Sequence, residues 1–141
     1  MWLMNRVFNS IVRWILTSPL HWLMSKSVML ITFRGRKSGQ EFTTPVQFTR
    51  DGEEVWVMVG FPEKKNWWRN LIGGAAVKVC IERTWNAGNA VVLRGETDQK
   101  EILVGLKQII NKFPFLQKEH GSPDSPELKS AEIVIVKITL D

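Results

Sequence analysis

The chain has 141 residues, is 44% hydrophobic and carries a formal net charge of +5. That length holds one domain, and that apolar share fills a core, which excludes intrinsic disorder. The positive balance favours anionic partners such as phosphates, an acidic cofactor tail or an anionic membrane surface. Nucleic acid is excluded as the expected partner, because the basic residues form no dense run and no zinc-finger, recognition-helix or RNA-binding signature is present.

Residues 1–17 carry Leu3, Val7, Phe8, Ile11, Trp14 and Ile15 at helical spacing, with Arg6, Asn9, Ser10 and Arg13 on the other side. Ser18-Pro19 breaks this segment and can start a second short helix to about Met24. Arg6, Arg13, Pro19 and Lys26 keep any apolar stretch short of the ~20 residues of a membrane span. A signal-peptide cleavage pattern is also missing. Residues 1–26 therefore read as an amphipathic helical segment, docked on a membrane surface or packed on the domain or a partner subunit.

The period then changes. Val28 to Phe33 is an apolar strand, Phe42 to Thr49 a second, and Val55 to Val59 a third that is apolar on both faces. Pro45 removes a ladder donor and places its strand at an edge or bulge. Asp51-Gly52 is a hairpin signal. Asn66 is placed to cap a short helix from Trp67 to Ile72, ended by Gly73-Gly74. Val77, Val79 and Ile81 alternate as a half-buried strand, Asn86 to Asn89 read as a turn, and Ala90 to Arg94 returns. Asp98 and Glu101 have capping-box spacing before a helix from Gln99 to Phe113. Residues 117–130 read as an exposed loop, and Ile133 to Ile138 as the last strand. Hairpin-linked strands with marginal helices imply a mainly β, α+β domain over residues 27–141, an antiparallel sheet or barrel.

Two segments could carry chemistry. Gly35-Arg36-Lys37-Ser38-Gly39 combines flexible backbone, two cations and a hydroxyl, and suits either an anion cradle or a solvated basic turn. Lys64-Lys65-Asn66-Trp67-Trp68-Arg69-Asn70 puts adjacent indoles on one short helix. They cannot both face one core, so one packs inside and the other lines a pocket or interface. Conventional catalytic groups are scarce. Cys80 is the one cysteine, which rules out an intrachain disulfide and suits a reducing cytoplasm. His21 and His120 are the two histidines, too few for a metal centre, and tyrosine is absent. An enzyme of this composition borrows its reactive group from a cofactor.

Taken together, the strand Val28 to Phe33, Gly35 to Gly39, Thr43-Thr44-Pro45-Val46, Asp51-Gly52, the strand Val55 to Val59 and Trp67-Trp68-Arg69-Asn70-Leu71 resemble the deazaflavin-dependent nitroreductase and quinone-reductase family over roughly residues 18–95. The resemblance implies a six-stranded antiparallel split β-barrel of the FMN-binding, flavin-reductase type. It implies coenzyme F-420 as cofactor, with FMN as the alternative, and hydride transfer to a planar apolar acceptor such as a quinone or nitro compound. A non-catalytic cofactor carrier is the rival of a different class. By position, the resemblance assigns cofactor binding to Arg36, Lys37, Ser38, Gly39, Thr44, Pro45 and Val46, and to Gly60, Lys64, Lys65, Asn66, Trp67 and Asn70. The anionic tail of F-420 would suit a track of Arg36, Lys37, Lys64, Lys65 and Arg69. Where relatives carry a lysine and paired glycines after the third strand, this chain has Gly60-Phe61-Pro62-Glu63-Lys64-Lys65. Where they carry tyrosines in the C-terminal part of the pocket, Phe113, Phe115 and Trp85 are the aromatic candidates. The expected setting is the cytoplasm, at the inner membrane surface if the N-terminal helix binds lipid, and the expected assembly is a homodimer.

Overall fold

The computed structural model describes residues 27–95, 97–116, 121–122, 125–126 and 133–141. The expected N-terminal helices, His21 and His120 lie outside these residues. The strands are β1 (Val28–Arg34), β2 (Glu41–Gln47), β3 (Thr49–Asp51), β4 (Glu54–Met58), β5 (Ala75–Ile81) and β6 (Thr84–Arg94). After helix α1 (Gln99–Lys112) come the two-residue strands β7 (Gly121–Ser122) and β8 (Ser125–Pro126), then β9 (Val134–Leu140). The main sheet is antiparallel with seven strands in the order β2-β1-β5-β6-β9-β4-β3, and β7 pairs with β8 separately.

The first and last strands of that order are consecutive in the chain. One segment pairs with β1 as β2, turns at Phe48, and pairs with β4 as β3. The chain itself therefore closes the curled sheet at Phe48, and the single strand expected over Phe42 to Thr49 is two. This division, with the β7–β8 ribbon, accounts for the difference from six strands.

Pro45 sits where a missing donor costs no ladder bond. The Phe48 N–H donates to the Ser27 carbonyl at 3.0 Å. Stepping back by two, Val46 and Thr44 also turn their N–H groups to β1, while Pro45 faces the unpaired side.

The interior follows the same alternation. Met29, Ile31 and Phe33 of β1, Val55 and Val57 of β4, Val77 and Val79 of β5, and Val136 and Ile138 of β9 fill the barrel. The opposite faces of β4 and β9 supply Trp56 and Ile135, which pack with Leu93 against Ile102, Leu106, Ile109 and Ile110 of α1. This confirms cover on both faces of the third strand. At Gly105 a Cβ would stand 2.4 Å from Cε3 of Trp56, so only glycine lets α1 approach this closely.

Two local expectations are corrected. The β5–β6 turn is at Glu82-Arg83, since Ile81 pairs with Thr84, and Asn86 to Asn89 lie within β6. Both turn residues have positive φ, 49° and 71°, as a two-residue hairpin with the strand twist requires. Asp98 does not close a capping box: its Oδ2 accepts the Arg94 N–H at 3.0 Å and the Thr97 hydroxyl at 3.1 Å, so its carboxylate serves the preceding turn instead.

Candidate functional site

The basic loop is a closed turn. The Gly35 N–H donates to the Gln40 carbonyl and the Gly39 N–H to the Gly35 carbonyl, each at 2.8 Å. A Cβ on Gly35 would lie 2.8 Å from the Phe42 ring and 2.9 Å from the Ser38 hydroxyl, which fixes glycine there. Gly39 has φ 70° and open space around it. The Arg36 N–H donates to Asn70 Oδ1 at 3.0 Å, and the Ser38 hydroxyl accepts the Gln40 N–H at 3.2 Å. The loop's amides are thus less bare than its sequence suggests. Those of Lys37 and Ser38 have no intramolecular partner among the described residues.

Asn70 joins this loop to the tryptophan segment. Its Nδ2 donates to the Trp67 carbonyl at 3.1 Å and the Asn66 carbonyl at 3.4 Å. The segment is a 3-10 turn, Trp67–Leu71, and the Asn66 side chain does not cap it. Asn66 Oδ1 instead accepts Arg69 Nη1 at 2.8 Å. Trp68 is 3% exposed, donates its indole N–H to the Pro62 carbonyl at 2.9 Å, and lies under the guanidinium groups of Arg69 and Arg94. Arg69 therefore takes part in the packing of Trp68. Trp67 is half-buried with its ring 6.2 Å from that of Phe33.

Trp67 lines a cavity of about 860 Å³. Among the residues expected to bind a cofactor, Thr44, Pro45, Val46, Gly60 and Lys65 line it too. Arg36, Lys37, Ser38, Gly39, Lys64, Asn66 and Asn70 do not line it. They flank the Trp67 end, because Asn70 binds both the loop and the Trp67 carbonyl. The cavity continues past Phe48 to Phe113, Phe115 and Leu116 at the end of α1. Trp85 is elsewhere, in a separate cavity of about 460 Å³ with Thr32 and Lys78.

Phe48, Phe61 and Leu116 were not foreseen as lining residues. Phe48 lies inside the strand expected over Phe42 to Thr49, and only closure of the barrel shows its place. Lys112 spans this corner: its Nζ donates to the Phe48 carbonyl at 2.7 Å and lies 4.0 Å from the Phe48 ring centroid. Burial lowers its pKa, offset in part by the charge of Glu82.

The donor set suits a planar, anionic cofactor. One end offers Lys65 beside Lys64 and the basic loop, the middle offers an indole and the aliphatic Pro45 and Val46, and the far end is aromatic and aliphatic. A curled antiparallel sheet with one helix on its outer face and a cavity at the strand switch defines a split β-barrel of the flavin-reductase type. Residues 4–112 match the F420H(2)-dependent quinone reductase family, and the chain belongs to it. It is thus an oxidoreductase whose cofactor is coenzyme F-420. No curated protein matches the chain.

Similar solved structures share the fold. An F420-H2 dependent reductase (FDR-A) is 16% identical with TM-score 0.54, covering 82% of this chain and 95% of that one. HutZ, the heme storage protein from Vibrio cholerae, is 12% identical with TM-score 0.56, covering 89% and 90%. A domain-swapped dimer is 17% identical with TM-score 0.56, covering 97% and 96%.

Proposed function

We propose that the cavity at the barrel's strand switch holds F-420 and that the chain transfers hydride from its reduced form to a quinone. The observation that carries this reading is the bond from Arg36 N–H to Asn70 Oδ1, which ties the basic loop to the end of the cavity that Trp67 lines. Arg36, Lys37, Lys64 and Lys65 would attract the anionic phosphate and tail, with Ser38 and Gly39 shaping the turn. Thr44, Pro45, Val46, Gly60, Trp67 and the Asn66–Asn70 turn would hold the ring.

Reduced F-420 supplies a hydride from carbon. The protein's work is to orient two flat partners and exclude water, which needs few acid–base groups. Phe113, Phe115 and Leu116 would offer the acceptor an apolar wall. A quinone fits that wall better than a nitro compound, since the chain has no tyrosine hydroxyl to meet nitro oxygens. The closest rival within the fold is FMN, which brings one phosphate and no acidic tail. A homodimer in the cytoplasm is the assembly and setting we infer, by analogy with the split-barrel fold.

Parallel fluorescence titrations with F-420, FMN and haem test this. F-420 should quench the tryptophan signal saturably and most tightly, and reduced F-420 should then be oxidised catalytically by a water-soluble quinone. Tighter binding of FMN, or F-420 binding without turnover, contradicts the proposal.

A further inference from the structure

We propose that Lys112 is a positioning residue for the acceptor: its ammonium ties the strand switch to the end of α1 and so sets the place of the aromatic rings against which a flat acceptor binds. This role rests on the quinone reading of the cavity's aromatic end. Phe48 lies between β2 and β3, so its carbonyl falls outside both ladders and needs another donor. Lys112 Nζ supplies it at 2.7 Å, across 64 positions of sequence. The same ammonium stands 4.0 Å from the Phe48 ring centroid and 5.6 Å from that of Phe113. The Phe113 and Phe115 rings in turn meet edge to face, with centroids 6.1 Å apart. These rings line the cavity and Lys112 does not, so it acts on a bound molecule only through them.

The aromatic wall needs such a tie. Ile102, Leu106 and Ile109 seat α1 on the sheet, but the helix ends at Lys112, and the 3-10 turn Pro114–Leu116 that follows buries no residue. Phe115 is 69% exposed. Rings carried on so shallow a segment keep one arrangement only where the helix end is fixed. A half-buried lysine gives up rotamer freedom and hydration, costs that an apolar side chain of similar length would largely avoid. The charge-assisted bond to the Phe48 carbonyl and the two ring contacts offset those costs. They also join two parts of the cavity wall that the chain itself does not connect.

The test compares the wild type with Lys112→Met and Lys112→Arg, as the full chain without cofactor, carrying fluorinated phenylalanine and titrated with menadione. In the wild type menadione should shift the fluorine resonances of Phe48, Phe113 and Phe115. Lys112→Met keeps the length of the side chain and removes its charge. It should broaden the Phe113 and Phe115 resonances before any ligand is added. Its affinity for menadione should fall roughly tenfold, whereas Lys112→Arg should stay within about threefold of the wild type. F-420 affinity should be the same in all three chains, and with reduced F-420 bound the KM for menadione should rise in Lys112→Met more than kcat falls. Four results overturn the proposal: wild-type menadione affinity in Lys112→Met, equal loss of menadione and F-420 affinity, a Lys112→Arg chain as weak as Lys112→Met, or no menadione shift at the three rings of the wild type. Wild-type F-420 binding and turnover decide the F-420 reading, and the menadione comparison is made without that cofactor, so each can fail while the other stands.

Discussion

The side-chain oxygen of Asn70 accepts the backbone N–H of Arg36 at 3.0 Å, across 34 positions of sequence. The same side chain donates to the Trp67 carbonyl. A single amide therefore sets the distance between the basic loop and the indole at the cavity. Asn70→Ala should cost about 1 kcal/mol of stability for the lost hydrogen bonds and weaken F-420 binding. Asn70→Asp keeps the acceptor for Arg36 but turns an oxygen towards the Trp67 carbonyl and adds a negative charge beside the basic loop, and should weaken F-420 binding further than Asn70→Ala. Thermal unfolding and fluorescence titration measure both effects. Unchanged affinity in Asn70→Ala would show that the loop needs no anchor.

Gly105 allows α1 to seat on Trp56. Gly105→Ala should destabilise by about 1–3 kcal/mol, since the added methyl meets the indole edge. Urea unfolding should show a lower midpoint with an unchanged slope. A more stable variant, as helix propensity alone would give, would refute the close approach.

The Glu82-Arg83 turn holds two non-glycine residues at positive φ. Replacing them by Asn and Gly should stabilise the protein by roughly 1 kcal/mol, because those residues adopt this turn without steric cost. The gain is read from the denaturation midpoint, and a loss of stability would place the turn elsewhere.

This turn also shows what the sequence could not reveal. Glu-Arg carries no hairpin signature, whereas Asn86 to Asn89 does. The latter lies inside β6 because Gly88 admits the close backbone approach of β9, where a Cβ would come within 2.8 Å of the Thr139 carbonyl. Features with a strong local cause were legible: the two-faced third strand, the edge position of Pro45 and the division of labour between Trp67 and Trp68. Features decided by distant contacts were not. The strand switch at Phe48 depends on barrel closure, the cavity's far wall depends on where α1 ends, and the stacking of Arg69 on Trp68 depends on how the 3-10 turn folds.

Lys112 should give stability a pH dependence. Burial disfavours its charged form, so its folded pKa lies below the ordinary 10.5. Between those two values the unfolded chain binds more protons, and stability rises with pH. Below the folded value the contribution is flat. Denaturation midpoints of the wild type and Lys112→Met, compared from neutral pH towards 10.5, should show the extra alkaline rise in the wild type alone. Parallel curves would mean that Lys112 titrates as if in water.

The central claim is electrostatic, and the salt dependence of F-420 affinity tests it most directly. For the wild type, affinity should fall as salt rises. Arg36→Ala with Lys37→Ala, and separately Lys64→Ala with Lys65→Ala, should each weaken binding at low salt and flatten that slope. Wild-type affinity and slope in both pairs would contradict the account, because the cations on the two sides of Asn70 would then hold no part of the cofactor.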